Sequence, residues 1–172
     1  MSEPSSQLPP LRRLDRTGVP LLLARLILGG MFIYMGTHKL ADPIAFLKLV
    51  RMYHMLPETP PYFLNSVAIV LPWLEVFTGV ALLIGLSVRG AAAIMTIMLC
   101  VFTPAILLRA LKMVAETGQS FFQISFDCGC GSGVVVIWKK VTENLLLILL
   151  SILAVASCSR RWCLSRFLDR DA

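Results

Sequence analysis

The chain of 172 residues is 57% hydrophobic and only 15% charged, with a net charge of +6. A water-soluble domain of this length would not need so much apolar surface. The apolar residues fall in long blocks rather than at helical or strand periods, as membrane-spanning segments do. The positive balance does not read as a nucleic-acid footprint, because no basic stripe is interleaved with aromatic residues.

In chain order, the polar and proline-rich opening "MSEPSSQLPP" predicts a mobile tail over residues 1–18, followed by a membrane domain over 19–158 and a basic tail over 159–172. Four apolar blocks lie within the membrane domain: Val19–Gly36, Asn65–Leu86, Ala91–Leu108 and Val141–Cys158, the last extendable backwards through "GVVVIW". Each is about 18–22 residues long, enough to cross ~30 Å of hydrocarbon at ~1.5 Å per residue. A spanning backbone must satisfy its own hydrogen bonds, so all four are expected as helices. No block has a polar face wide enough to meet water, which argues against a soluble bundle. The expected fold is therefore all-α, a polytopic four-helix transmembrane bundle. The basic lead "LRRLDR" resembles the start of a signal peptide. No small-residue cleavage site follows it, and Arg25 interrupts the apolar run, so the first block is expected as a retained helix.

Between the first two blocks, Lys48, Arg51 and His54 recur at steps of three among Ile44, Phe46, Leu47 and Val50. That pattern predicts a short helix over 44–56 lying in the membrane interface. Only "SVRG" joins the second block to the third, which demands a tight antiparallel hairpin.

Four spans put both ends of the chain on one side, with Arg12, Arg13, Arg16, Arg89, Arg160, Arg161, Arg166 and Arg170. The other side holds Lys39, Lys48, Arg51, Arg109, Lys112, Lys139 and Lys140. The first group sits in shorter segments, hard against the helix ends, where the positive-inside rule weighs most. The termini are thus expected in the cytoplasm, with residues 109–140 outside an inner membrane.

Two charges fall inside the spans, Arg25 in the first and Glu75 in the second. A lone charge there costs at least ~2.5–3.5 kcal/mol. Counted from the cytoplasmic ends, the two differ in depth by roughly 7–8 Å, within reach of an arginine. They are expected either to clasp one another or to form a proton or quinone-headgroup site. Pro72 and Pro104 would free backbone carbonyls near mid-membrane. Thr96, Cys100 and Thr103 share one helical face, and Asn144 and Ser151 another, as residues that hold helices together do.

The stretch "SFDCGCGSG" places Cys128 and Cys130 one glycine apart, between two apolar runs. A disulfide between them would need the backbone to bend at Gly129. A small ring of that kind is strained, and strained disulfides exchange readily. Three chemistries stay open for the pair: redox exchange, a static bond or idle thiols, and half of a zinc site completed by His38 and His54. No histidines pair across spans for haem, and no glycine-rich nucleotide fingerprint is present.

Three motifs resemble known families. "ARLILGGMFIYMGTHKLADP" resembles the first-helix signature of the DoxX-like membrane proteins in Arg25, Gly29, Gly36, Lys39, Leu40 and Pro43. "WLEVFTGVALLIGLSVRGAA" resembles their second helix in Glu75, Gly79, Gly85 and Arg89. "FDCGCGSGVVVIWKKVTENLLL" resembles the MauE, or methylamine utilisation, branch. It has a Cys-Gly-Cys turn, then Trp138 and Asn144, although Ser132 stands where that branch carries a bulky aromatic.

The resemblance implies a four-helix membrane bundle engaged in periplasmic thiol–disulfide electron transfer. Cys128 and Cys130 would be the exchanging pair, with a thioredoxin-like thiol protein as partner and membrane quinone as the acceptor class. Arg25 and Glu75 would form the acceptor site or a structural pair. Maturation of a disulfide-rich, methylamine dehydrogenase-like enzyme is the process it implies, and the enzyme class is a thiol–disulfide or quinone-linked oxidoreductase. The rival from another class is a non-catalytic anchor or assembly subunit of a larger membrane redox complex.

Overall fold

The computed structural model describes residues 18–53, 61–127 and 133–156. Among them are five helices and one two-stranded hairpin: α1 (Val19–Ala41), α2 (Pro43–Met52), α3 (Pro61–Ile84), α4 (Val88–Thr117), β1 (Ser125–Asp127), β2 (Val134–Val136) and α5 (Ile137–Ala156). Three helices, spanning Val19–Ala41, Tyr62–Ile84 and Val88–Thr117, are long and apolar enough to cross a membrane.

The expected count of four spans is corrected to that extent. Lys139, Lys140 and Glu143 crowd the first two turns of α5, so its described residues, which end at Ala156, are less apolar than those of the other three. The long helices nonetheless share one bundle. Each turns large apolar side chains outward, among them Leu23, Phe77, Ile97 and Leu146. An outward apolar belt is what lipid requires and water forbids. The chain is a multi-pass membrane protein.

Each boundary has a local cause. Pro20 sits in the first turn of α1, where its missing N–H costs nothing. Asp42 caps α2, its carboxylate accepting from the Ala45 N–H at 2.9 Å, and Pro43 opens that helix. At the end of α3, the N–H groups of Gly85 and Leu86 both donate to the Ala81 carbonyl, and Gly85 takes φ 82°. Positive φ there is what glycine permits and what turns the chain straight into α4. α4 continues to Thr117, beyond the expected stop at Leu108, until Gly118 at φ 67° closes it with an N–H to the Val114 carbonyl. The stretch "VVV" at 134–136 is not the backward extension of the last helix. It pairs antiparallel with β1, in the register Ser125–Val136, Phe126–Val135 and Asp127–Val134. β-Branched residues fit either state, and the strand partner decides.

α1 packs most closely on α3, and α4 on α5, giving two antiparallel pairs. The main core lies between the pairs, around Leu28, Phe32, Leu82, Ala92, Met95 and Leu147. A second cluster, of Ile106, Ala110, Ile124, Phe126 and Ile137, seats the β hairpin on one end of the bundle.

Candidate intramembrane polar site

The α1–α3 crossing is built on glycine. A Cβ on Gly29 would lie 2.9 Å from the Gly79 carbonyl oxygen, and one on Gly79 would lie 2.9 Å from that of Gly29. A Cβ on Gly36 would lie 2.9 Å from the Pro72 carbonyl oxygen and 3.1 Å from the Glu75 Cβ. Small residues let two helices approach this closely in a membrane, where packing rather than water exclusion holds them. Lys39 follows Gly36 by three residues and so shares its face. Its ammonium reaches Glu75 Oε1 on α3 and forms a buried ion pair. Lys39 is 6% exposed and Glu75 is 3% exposed. Two charges at such depth are tolerated because they face each other.

The pair opens onto a cavity of about 340 Å³. The wall is aromatic and aliphatic. The Lys39 Nζ lies 5.2 Å from the Phe46 ring centroid and 5.3 Å from that of Phe102, so two ring faces share its charge with the carboxylate. Phe46, the buried residue of α2, comes from the short helix that joins α1 to α3 in the chain. Asn144 lines the opposite side and donates to the Thr103 hydroxyl at 3.2 Å. One group in this site lacks a partner among the described residues: Glu75 Oε2, fully buried, accepts no hydrogen bond.

Arg25 does not clasp Glu75. Its Nε donates to the Leu82 carbonyl at 2.8 Å and its Nη2 to the Leu83 carbonyl at 2.9 Å. These acceptors lie two helical turns, about 10 Å, from Glu75 along α3. The last carbonyls of a helix have no intrahelical donor and carry the negative end of its dipole. Arg25 satisfies them at 2% exposure and is thereby a cap. The depth estimate placed Arg25 and Glu75 within reach but took no account of these orphan carbonyls, a nearer set of acceptors.

The remaining expected groups separate. Thr96 donates to Ser151 at 2.8 Å, and Asn144 to Thr103, giving two polar rungs between α4 and α5 seven residues apart on each helix. Cys100 is exposed and takes no part in them. His38 stands edge-on to Tyr34, with ring centroids 4.5 Å apart. Among the described residues no three His, Cys, Asp or Glu side chains gather as metal ligands would. His54 and the pair Cys128 and Cys130 lie outside the described residues.

What is described is the frame of that pair. β1 ends at Asp127 and β2 begins opposite it at Val134. The frame is held from below by Arg109. Its guanidinium lies 5.2 Å from the Phe126 ring centroid and 5.3 Å from that of Tyr53, and Nη1 donates to the Met52 carbonyl. Tyr53 and Ile106 line the cavity and also belong to the cluster beneath the hairpin. The hairpin and the polar site therefore occupy the same end of the bundle.

Lys39 and Lys140 escaped the reading of the sequence, which counted both as charges flanking the spans. Lys140 is 1% exposed and bonds Glu143 at 3.1 Å. The usable signal for Lys39 was its three-residue step from Gly36, since a cation on the glycine face of a helix must point at the neighbouring helix.

The family of methylamine utilisation protein MauE matches residues 17–157. The chain belongs to the MauE family. That match spans all five helices, the hairpin, both buried cations of α1 and the cysteine pair. No curated protein and no solved structure shows a significant match to it.

Proposed function

We propose that this MauE-family protein passes electrons between a thiol protein on the outer face of the membrane and an acceptor within it, using Cys128 and Cys130 as the exchanging pair. The observation that carries the reading is the frame: Asp127 and Val134 are register partners, and Phe126 and Ile137 anchor the two strands in the bundle. The pairing of the two strands brings together the two ends of the stretch that carries the cysteines, Asp127 and Val134, which supports a reading as a thiol-exchange loop. Oxidation of the dithiol to a disulfide releases two electrons and two protons, and a membrane quinone is an acceptor that takes up both. The family's name supports a role in methylamine utilisation, within which maturation of a disulfide-rich, methylamine dehydrogenase-like enzyme is the process proposed, and Arg25, Gly36 and Lys39 support a DoxX-like kinship.

In exchange, a partner thiolate attacks one sulfur of the oxidised pair and expels the other, leaving a dithiol for the acceptor to reoxidise; read in reverse through the same mixed disulfide, one cysteine of the pair attacks the partner disulfide and the other resolves it. Cys128 follows Asp127, whose charge disfavours a neighbouring thiolate, so Cys130 is assigned the attack. Cys128→Ser should therefore accumulate a covalent adduct with a thioredoxin-like protein on non-reducing gels, and Cys130→Ser should not. An impermeant thiol reagent applied to intact cells after mild reduction should label Cys128 or Cys130 and spare Cys163. Labelling of Cys163 alone would overturn the orientation. The absence of an adduct from either single variant, with growth unchanged in the double variant, would leave a non-catalytic assembly subunit in place of the redox role.

A further inference from the structure

The cavity at Lys39 and Glu75 has three properties that together specify a ligand. The first is an orphan acceptor: Glu75 Oε2 is buried without a donor, while Lys39 engages only the other oxygen. A carboxylate oxygen left so in a low-dielectric interior costs free energy until a donor reaches it. A ligand headgroup must therefore bring an O–H or N–H, and the ammonium beside it favours an oxygen on the same headgroup.

The second property is the wall. Phe32, Phe46 and Phe102 present aromatic surface around the pair. Such rings take a flat ring by offset stacking or edge contact. The volume of about 340 Å³ suits one substituted ring and the start of a tail. The third is the mouth. Ile97 and Val101 line the cavity from α4 yet are 64% and 60% exposed on the outward, lipid-facing surface. The cavity thus reaches the bilayer sideways, between the α1–α3 pair and α4, so its ligand arrives dissolved in the membrane.

We infer that this cavity binds a membrane quinol, with one hydroxyl donating to Glu75 Oε2 and the same oxygen, once oxidised to a carbonyl, accepting from Lys39 Nζ. The binding stands on the cavity alone, and only its redox use rests on the thiol-exchange reading. A quinone takes up two electrons and two protons to become the quinol, the number that one dithiol releases on closing to a disulfide. Glu75 Oε2 is placed to pass one of those protons at the headgroup oxygen.

The test is binding of a short-tailed benzoquinol, and separately of its quinone, to the full chain in lipid nanodiscs without oxygen, measured by titration calorimetry. Wild-type protein should bind both saturably. Glu75→Gln should weaken the quinol by about tenfold or more, the worth of a hydrogen bond to a charged group, and favour the quinone, to which an amide can donate. Because Glu75→Gln can also disturb folding, Val101→Trp provides the second variant. It plugs the mouth from the lipid side, leaves the ion pair untouched, and should abolish binding of both forms.

Absence of saturable binding by the wild type would overturn the site. So would undiminished binding by Val101→Trp, or equal binding of an alkanol with the same tail, which would make it a groove for lipid chains. The Cys128→Ser, Cys130→Ser double variant should bind as the wild type does. Binding retained there while the adduct trap fails rejects the thiol reading and keeps this site; a working trap without binding does the reverse.

Discussion

Lys39 of α1 and Glu75 of α3 form a buried ion pair across a crossing that two helices can make only because Gly36 has no side chain. Removing either partner leaves an uncompensated charge in the bundle. Lys39→Met and Glu75→Leu are each expected to cost about 3–5 kcal/mol, and the double replacement to recover much of the loss. Reversible unfolding in mixed detergent and denaturant measures the cycle. A double variant as poor as the worse single one would refute the pairing.

Arg25 should behave independently of that pair. Arg25→Lys keeps the charge but cannot fork to the Leu82 and Leu83 carbonyls. A loss of about 1.5–3 kcal/mol is expected for the charged hydrogen bond forgone. Combined with Glu75→Leu, it should add to within ~0.3–0.5 kcal/mol, as distant sites do. Rescue by Glu75→Leu would instead restore the clasp.

Glycine substitutions separate contact from composition. Gly36→Ala drives a methyl to 2.7 Å from Val76 Cγ2 and 2.9 Å from a backbone oxygen that cannot yield. About 1–3 kcal/mol of destabilisation is expected from such overpacking. Gly30→Ala meets nothing within 4 Å and should leave thermal stability in detergent unchanged or slightly raised.

The rung between Thr96 and Ser151 offers a double-mutant cycle of its own. Thr96→Val, Ser151→Ala and their combination should yield a coupling near ~0.6 kcal/mol, the usual size for a hydrogen bond between membrane helices. A coupling of zero would mean that packing, not the bond, joins α4 to α5.

Arg109 should govern the hairpin rather than the bundle. Its two ring contacts are each worth about 0.5–1 kcal/mol, and Arg109→Ala also frees the Met52 carbonyl. Amide exchange at Phe126 and Val135 should quicken in that variant, while exchange in α1 and α3 stays as it was. Uniform quickening would argue for global loosening instead.

Three spanning helices were legible in the sequence because a bilayer imposes one length on any apolar run that crosses it. Their ends were less so. α4 runs to Thr117 because its last turns pack against the hairpin, a tertiary contact that hydropathy does not register. The strand at Val134–Val136 was hidden because three valines carry no period. The rungs from Thr96 and Thr103 to Ser151 and Asn144 were readable, since equal seven-residue steps on two helices align. Lys39 was not, because a lysine near a span end ordinarily bends its charge out to the interface. The identity of its partner depended on a glycine crossing that only the folded chain displays.

Both cations of α1 find acceptors on α3, Lys39 at a carboxylate 36 residues later and Arg25 at carbonyls 57 and 58 residues later. When α1 first leaves the ribosome, neither acceptor has been made. At about 5–20 residues per second, several seconds pass before α3 follows. Through that interval α1 is a poor passenger for hydrocarbon, held back by two charges it cannot yet neutralise. Insertion of α1 should then be easier together with α3 than alone: a chain truncated before Pro61 is expected to insert α1 less fully than one that runs through Ile84.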